Sequence, residues 1–368
     1  MDMHDVLESL KASDEPSVLA TIVCVEGHSY RKTGASMLFS FSGDQIGSVS
    51  PGCLEQDLLE RAAGVWDSGQ FICVNYNMKP EEDVIWGESV GCGGEIRMLL
   101  EPVEGQLRTL LLEAKAKNDA GISVKLMRSW DEKEISYALI ENLGDQSLVD
   151  YEDGMNNNSN QMSIIITPRP RLVLFGLGKD AEAIYSLAMQ IGFRVIAADW
   201  RPALCTKERF PHAECVIGSP VQIMEQVQLR PDDYLIVCSH NLSQDKEMIR
   251  LALPLKLVYI GVLGSKKRIR MLFETFLIPS NVHAPIGLSI HADGPYEIAV
   301  SVAAELIAIR AARKGSLRQE GSKHANISPL FSSRTEQTYG SSKAIARAVE
   351  EQAAGTDGAA GSVVQRSS

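Results

Sequence analysis

A chain of 368 residues that is 45% hydrophobic has room for two domains of ordinary size with real apolar cores. Its formal net charge of -11 excludes a nucleic-acid partner held by general phosphate attraction, while leaving room for a local basic pocket that takes one anionic ligand. The acidic, amphipathic start MDMHDVLESL lacks the basic region and apolar run of a secretory leader, and LALPLKLVYIGVLG is too short and interrupted to span a bilayer, so a cytoplasmic protein is expected.

Taken in chain order, SVLATIVCVEG reads as a strand, followed by the polar loop HSYRKTGAS and the short apolar run MLFSF. The glycine-rich turn SVSPGCLEQ leads into a helix in which Leu54, Leu58, Ala62 and Val65 recur at helical spacing and Gly69 follows as a stop. FICVNYNM alternates as a strand does. The acidic loop PEEDVIWGESVGCGG precedes the strand EIRMLLEPV, and a helix and further strands extend to about residue 142. These elements predict an N-terminal α+β domain over residues 1–142. Residues 143–162, rich in Asn, Ser, Asp and Gly, read as a linker or long surface loop.

The second half changes character. RLVLFG, FRVIAADW, ECVIG, DYLIVCSH and LVYIGVLG are short apolar strands separated by helical patterns, which predicts a doubly wound parallel sheet, Rossmann-like, over residues 163–315. A long helix is expected to start near Asp293 or Gly294 and to end at Gly315. From residue 316 to 368 the apolar periodicity fades and a mostly disordered tail is expected.

Gly176-Leu177-Gly178-Lys179-Asp180-Ala181 joins a strand to a helix in the G-x-G-x-x-A form of a dinucleotide fingerprint. Gly176 makes the turn, Gly178 admits a pyrophosphate close to the backbone, and Asp199 ends the next strand where an acid can bond a ribose hydroxyl. Arg201 lies near enough to contact a phosphate or to pair with Asp199. His240 follows the fourth strand, at the edge where such sheets bind ligands; a loop hydrogen bond is the simpler role for it. Gly264-Ser265-Lys266-Lys267-Arg268 opens a further helix with three basic side chains, suited to an anion or merely solvated.

Seven cysteines, an odd number with no CxxC pair, make a poor disulfide framework or zinc finger. Cys24, Cys73 and Cys238 lie in apolar runs and are expected as buried core residues. Cys53 differs: it follows Pro51-Gly52 at a helix start, where the dipole favours a thiolate. Cys92 sits in GCGG, with Gly93 beside it, so little side-chain bulk surrounds its sulfur. Two thiols make neither a complete zinc site nor a recognisable hydrolase. Arg31 and Lys32 offer positive charge on a loop of the same domain, either as an anion clasp or as a solvated turn.

Together, GHSYRKTGASML, IGSVSPGCLEQDL, GCGGEIRMLLEP, LVLFGLGKDAEA, GFRVIAADWRP, RFPHAE, SHNLSQD, YIGVLGSKKR, APIGLSI and GPYEIAVSVAAELIAIR resemble, in order and over residues near 27 to 310, the XdhC/CoxI family of accessory proteins of molybdenum hydroxylases. The resemblance implies an N-terminal domain carrying the GCLE and CGG cysteines and a C-terminal Rossmann domain. It implies a chaperone that binds molybdenum cofactor (molybdopterin), helps its sulfuration with a cysteine desulfurase as sulfur donor, and delivers it to an apo molybdenum hydroxylase such as xanthine dehydrogenase. It also implies a homodimer. Carried over by position, Cys53 and Cys92 are the cofactor-contacting thiols; Gly52 and Gly93 stand beside them, and Arg31, Lys32 or helix N-termini would bind the phosphate. Gly176, Gly178 and Asp199 form the nucleotide-type crevice, which His240 would line by its place after the fourth strand. The family often has SGGCLE where this chain has SPGCLE, and GAGHVG where it has GLGKDA; Pro51 removes one backbone N–H from the first turn.

An alternative reading is an NAD(P)-dependent oxidoreductase, with His240 as acid/base and Asp199 on the ribose. A third is a scaffold whose Rossmann domain only dimerises and docks partners.

Overall fold

A computed structural model describes residues 2–78, 94–141, 160–274 and 277–321. The helix α1 (Asp2–Ala12) precedes the strands β1 (Ser17–Glu26), β2 (Ser36–Ser40) and β3 (Gln45–Gly47). Then come α2 (Glu55–Ser68), β4 (Ile72–Asn77), β5 (Glu95–Pro102) and α3 (Gly105–Asp119). The five strands form an antiparallel sheet in the order β3-β2-β1-β5-β4. Alternation along the strands gives the sheet two apolar faces. One carries Val18, Ala20, Ile22, Met98 and Leu100 against Leu54, Leu58, Ala62 and Val65 of α2, the helical stripe expected from the sequence. The other carries Leu19, Leu38 and Leu99 against α1, α3 and a second, three-stranded sheet.

That second sheet is made of β6 (Val124–Trp130), β7 (Ile135–Ile140) and β8 (Gln161–Ile166), ordered β7-β6-β8. β8 pairs antiparallel with β6 and buries Met162, Ile164 and Ile166 in the N-terminal core. Residues 163–166, expected at the start of the Rossmann segment, therefore belong with the strands before them. Composition does not reveal this, because the partner of an isolated apolar run is set by packing. Of the anticipated linker, residues 143–159 lie outside the described residues.

The last sheet is parallel, built from β9 (Arg171–Phe175), β10 (Arg194–Asp199), β11 (Glu214–Ile217), β12 (Tyr234–Val237), β13 (Tyr259–Val262) and β14 (Val282–His283). Its order, β11-β10-β9-β12-β13-β14, is 3-2-1-4-5-6 in the sheet's own sequence, the Rossmann order, with the direction of winding reversing between β9 and β12. One face buries Leu172, Leu174 and Ile236 under α4 (Lys179–Gln190) and α8 (Gly294–Gly321). The other buries Val173, Phe175 and Val237 under α5 (Pro220–Val227), α6 (Leu242–Ala252) and α7 (Lys266–Leu272). Burial on both faces explains why these strands read as unbroken apolar runs. α8 passes through Gly315 to Gly321, because a lone glycine costs a helix only about 1 kcal/mol. From residue 322 the expected tail lies outside the described residues.

Two of the three cysteines expected in the core are not buried. Cys238 is, but Cys73 is exposed on β4, an edge strand, and Cys24 is half-buried after a register shift in β1. Among the described residues, no helix is long and apolar enough to cross a membrane.

The α1 terminus supplies a pH-dependent contact. Burial, followed by the nearby Arg169 guanidinium, lowers the His4 imidazole from 6.5 to about 4. The folded protein thus prefers neutral His4, and the stability this gives is complete above pH 6.5 and lost as the pH falls towards 4. Melting temperatures measured across that interval should fall less steeply for His4→Gln than for the wild type; identical slopes would remove His4 as a cause.

Candidate functional site

The loops at one end of the five-stranded sheet gather most of the N-terminal candidates. The 27–35 loop leaves β1 and is closed by Gly34 N–H donating to Ile22 O at 2.9 Å. Arg31 Nη1 donates to Ser48 Oγ at 3.4 Å, which ties this loop to the turn carrying Cys53. Met78, just past β4, donates its N–H to Gly94 O at 2.8 Å. A Cβ on Gly94 would lie 2.2 Å from His28 O, so only glycine lets the chain enter β5 this close to the first loop. The last glycine of the GCGG run is thereby anchored beside the loop of Arg31 and Lys32. Cys92 and Gly93 themselves lie outside the described residues.

The 48–54 turn is organised by one acid that sequence reading left without a role. Glu55, the first residue of α2, accepts from Ser50 N at 2.9 Å, Leu54 N at 3.2 Å and Val49 N at 3.4 Å, and also takes the Ser50 hydroxyl. Burial alone would raise this carboxyl, but the Ser50 hydrogen bonds and those of the neighbouring N–H groups outweigh it and hold Glu55 below the usual range. Ser50 Oγ in turn accepts from Gly52 N at 3.1 Å and Leu54 N at 3.2 Å. The N–H groups of this turn are therefore partly taken by the chain's own carboxylate and hydroxyl. No capping-box spacing marks the Ser50–Glu55 pair, so nothing in the sequence singled it out. Gly52 sits at φ +122°, and among the described residues nothing lies within 4 Å of where a Cβ would be, so none of them closes this side of the turn. Cys53 follows, half-buried and in no disulfide, and Lys32 is exposed on the 27–35 loop.

The Rossmann candidates are brought together, but mostly onto one another. Asp199 is fully buried. It accepts from Leu177 N at 2.7 Å, from Arg201 N at 2.8 Å, and from Arg201 Nε and Nη2 at 2.9 Å each. Burial pushes its carboxyl up, yet the Arg201 and backbone bonds hold it below the usual range. Of the two roles open to Arg201, pairing with Asp199 is the one found. Gly176, at φ +94°, packs against the Ser239 backbone: a Cβ there would lie 2.2 Å from Ser239 Cα. His240 adopts φ +59° and sets Nε2 3.1 Å from Asp180 Oδ2, beside Gly178 at the start of α4. Asp180 and Glu182 supply negative charge to the first turn of that helix, where a pyrophosphate would need the opposite.

Two further side chains, to which sequence reading gave no role, complete the enclosure. Arg209 donates to Leu177 O at 3.0 Å and pairs with Glu182, strapping the glycine turn from outside. Buried Asp245 holds the Ser239 hydroxyl and Arg268 Nη2, the latter at 2.6 Å. Arg268 is thus committed to a side chain and is withdrawn from the basic helix start. With Asp199 engaged on both oxygens and the helix start acidic, the NAD(P)-dependent reading finds no support here. Among the described residues, no group of three or more His, Cys, Asp or Glu is placed to hold a metal ion.

Comparison with known proteins covers both halves of the chain. The model of the XdhC and CoxI family matches residues 10–77, and that of the XdhC Rossmann domain matches residues 172–306. A Bacillus subtilis (strain 168) protein described as a probable xanthine dehydrogenase subunit is 37% identical over 325 residues, covering 84% of this chain and 98% of that protein. The molybdenum cofactor insertion chaperone PaoD of Escherichia coli (strain K12) is 24% identical over 306 residues, covering 81% of this chain and 85% of its own length. A crystal structure described as a xanthine dehydrogenase from Bacillus halodurans superposes with a TM-score of 0.75 at 36% identity, over 85% of this chain and 97% of that one. A shared order of motifs, a matching Rossmann half and near-complete coverage of a relative lead to one conclusion: this chain belongs to the XdhC and CoxI family.

Proposed function

We propose that this protein is a cytoplasmic molybdenum-cofactor chaperone. It holds the cofactor as cargo, assists its sulfuration together with a cysteine desulfurase, and delivers it to an apo molybdenum hydroxylase of the xanthine dehydrogenase kind. The observation that carries the reading is the turn at Gly52–Cys53, left open by the described residues, tied through Arg31 to a second loop and bordered by the anchored end of the GCGG run. A half-exposed thiol is a soft ligand suited to a metal with sulfur chemistry. Arg31 and Lys32 supply the charge an anionic pterin needs in a protein of net charge -11. The relatives' names, one a molybdenum cofactor insertion chaperone and the other belonging to a xanthine dehydrogenase, support the same cargo and client. In this reading Cys53 and Cys92 lie closest to the metal. The Rossmann unit, whose fingerprint acid is engaged internally, serves as a rigid support and docking surface, and the protein works as a homodimer.

The test is the pterin and molybdenum content of protein purified anaerobically from cells that make the cofactor, with Cys53→Ala/Cys92→Ala alongside. Cofactor in the wild type, and at least about tenfold less in a double mutant of unchanged melting temperature, is the expected outcome. Equal retention by both proteins would remove the thiols from the site, and no retention by either would remove the cargo.

A further inference from the structure

Between the two N-terminal sheets lies a cluster of donors that the cofactor reading does not use. On the five-stranded sheet, Cys73, Arg97 and Glu101 point to the same face, since Cys73 pairs with Leu99 and strand alternation is two. On the facing sheet, β6 turns Arg128 and Trp130 inward. Arg128 is fully buried and its Nε donates to both Glu101 oxygens, at 3.0 and 2.9 Å. Among the described residues, its Nη1 and Nη2 are buried without a hydrogen-bond partner, as are Arg97 Nε and Trp130 Nε1. Arg97 Nη2 donates to Asn160 Oδ1 at 3.4 Å. The Cys73 thiol lies within reach of Arg97 and Trp130 and offers them only a weak acceptor; partial desolvation outweighs their pull and raises it.

Of the two guanidinium groups only Arg128 meets the Glu101 carboxylate, and the unpaired atoms of the cluster are all donors. Leaving buried donors unmet costs roughly 1–3 kcal/mol each, more for charged groups, so a native site of this kind has an acceptor. A cavity of about 220 Å³ lined by Phe71, Ile135 and Tyr137, with Lys133 and Glu104 of opposite charge also on its wall, is linked to the cluster through two of these residues. Ile135 is the cross-strand partner of Trp130, and the Tyr137 hydroxyl bonds Glu101. The exposed edge position of Cys73 gives a second approach.

We propose that Arg97, Arg128 and Trp130, with Cys73 at the rim, form a binding site for a small tetrahedral oxyanion of the phosphate, sulfate or molybdate class. Guanidinium forks match such oxygens in geometry, and an anion balances the surplus positive charge that Glu101 leaves. The site lies on the opposite face of the sheet from α2 and stands or falls independently of the thiols at residues 53 and 92.

Calorimetric titration of the full chain with inorganic phosphate and with molybdate, against chloride at equal ionic strength, tests the proposal. Saturable binding of an oxyanion is expected, weakened at least about tenfold in Arg97→Met. Because Arg97 is partly exposed, that variant leaves the buried Arg128–Glu101 pair in place. Mass spectrometry should also show alkylation of Cys73 slowed severalfold by the bound anion. Displacement of inorganic phosphate by phenyl phosphate would support the site as a receptor for the phosphate of a larger ligand; failure to displace would support a free ion. Absence of saturable binding, undiminished binding by Arg97→Met, or Cys73 alkylation indifferent to the anion would each overturn it, the first leaving bound water as the acceptor.

Discussion

Gly176→Ala is expected to lower stability by about 3 kcal/mol or more, whereas Gly178→Ala two residues later should cost about 1 kcal/mol or less. The two glycines look equivalent in a dinucleotide fingerprint, but the fold uses them differently. Gly176 sits at φ +94°, where a side chain is strained, and its missing Cβ makes room for the Ser239 backbone. A methyl group would have to displace main chain where two central strands end, and main chain in a sheet gives little. Gly178 has φ -68°, and a Cβ on it would meet only His240 Cδ2, at 3.7 Å, an ordinary contact. Thermal melts of the two variants decide the matter. If Gly176→Ala melts with the wild type, the close approach to Ser239 is not what that glycine is for. If Gly178→Ala is the damaging one, the assignment of roles is reversed.

The second large effect is expected in the N-terminal core. Arg128→Leu should destabilise by about 3–5 kcal/mol, and Glu101→Leu/Arg128→Leu should recover most of that loss. Both side chains are 0% exposed, so removing the arginine leaves a carboxyl buried among Leu99, Leu126 and Met162 with only Tyr137 to bond it. Burial already pushes Glu101 up against the pull of Arg128, so without that partner it can stay only by taking a proton. Replacing both groups by apolar side chains removes the desolvation penalty along with the attraction. Chemical denaturation of the two variants measures the difference. A single mutant within about 1 kcal/mol of wild type, or a double mutant no better than the single, would refute the account. The double mutant should also lose oxyanion binding, which connects its stability to the inter-sheet site.

Much of this protein could be read from local pattern. The stripe of Leu54, Leu58, Ala62 and Val65 became the buried face of α2, and five unbroken apolar runs became parallel strands covered on both sides. GLGKDA and Asp199 marked the strand–turn–helix of the first Rossmann unit, and the motif order across the chain pointed to the family. These features depend on neighbours a few residues apart, where periodicity, turn chemistry and spacing carry the information.

The tertiary structure decided what sequence distance hides. It showed Asp199 bonded to Leu177 and Arg201 rather than offered outward, and Arg268 drawn back onto Asp245. It placed Cys73 on an exposed edge, sent β8 back to β6, and revealed Glu55 as the residue that holds the Cys53 turn. In each case the question is which donor meets which acceptor, or which strand lies at an edge. Composition can supply the groups, but only the packed chain fixes their partners, because a buried hydrogen bond forms with whatever the fold brings within about 3 Å.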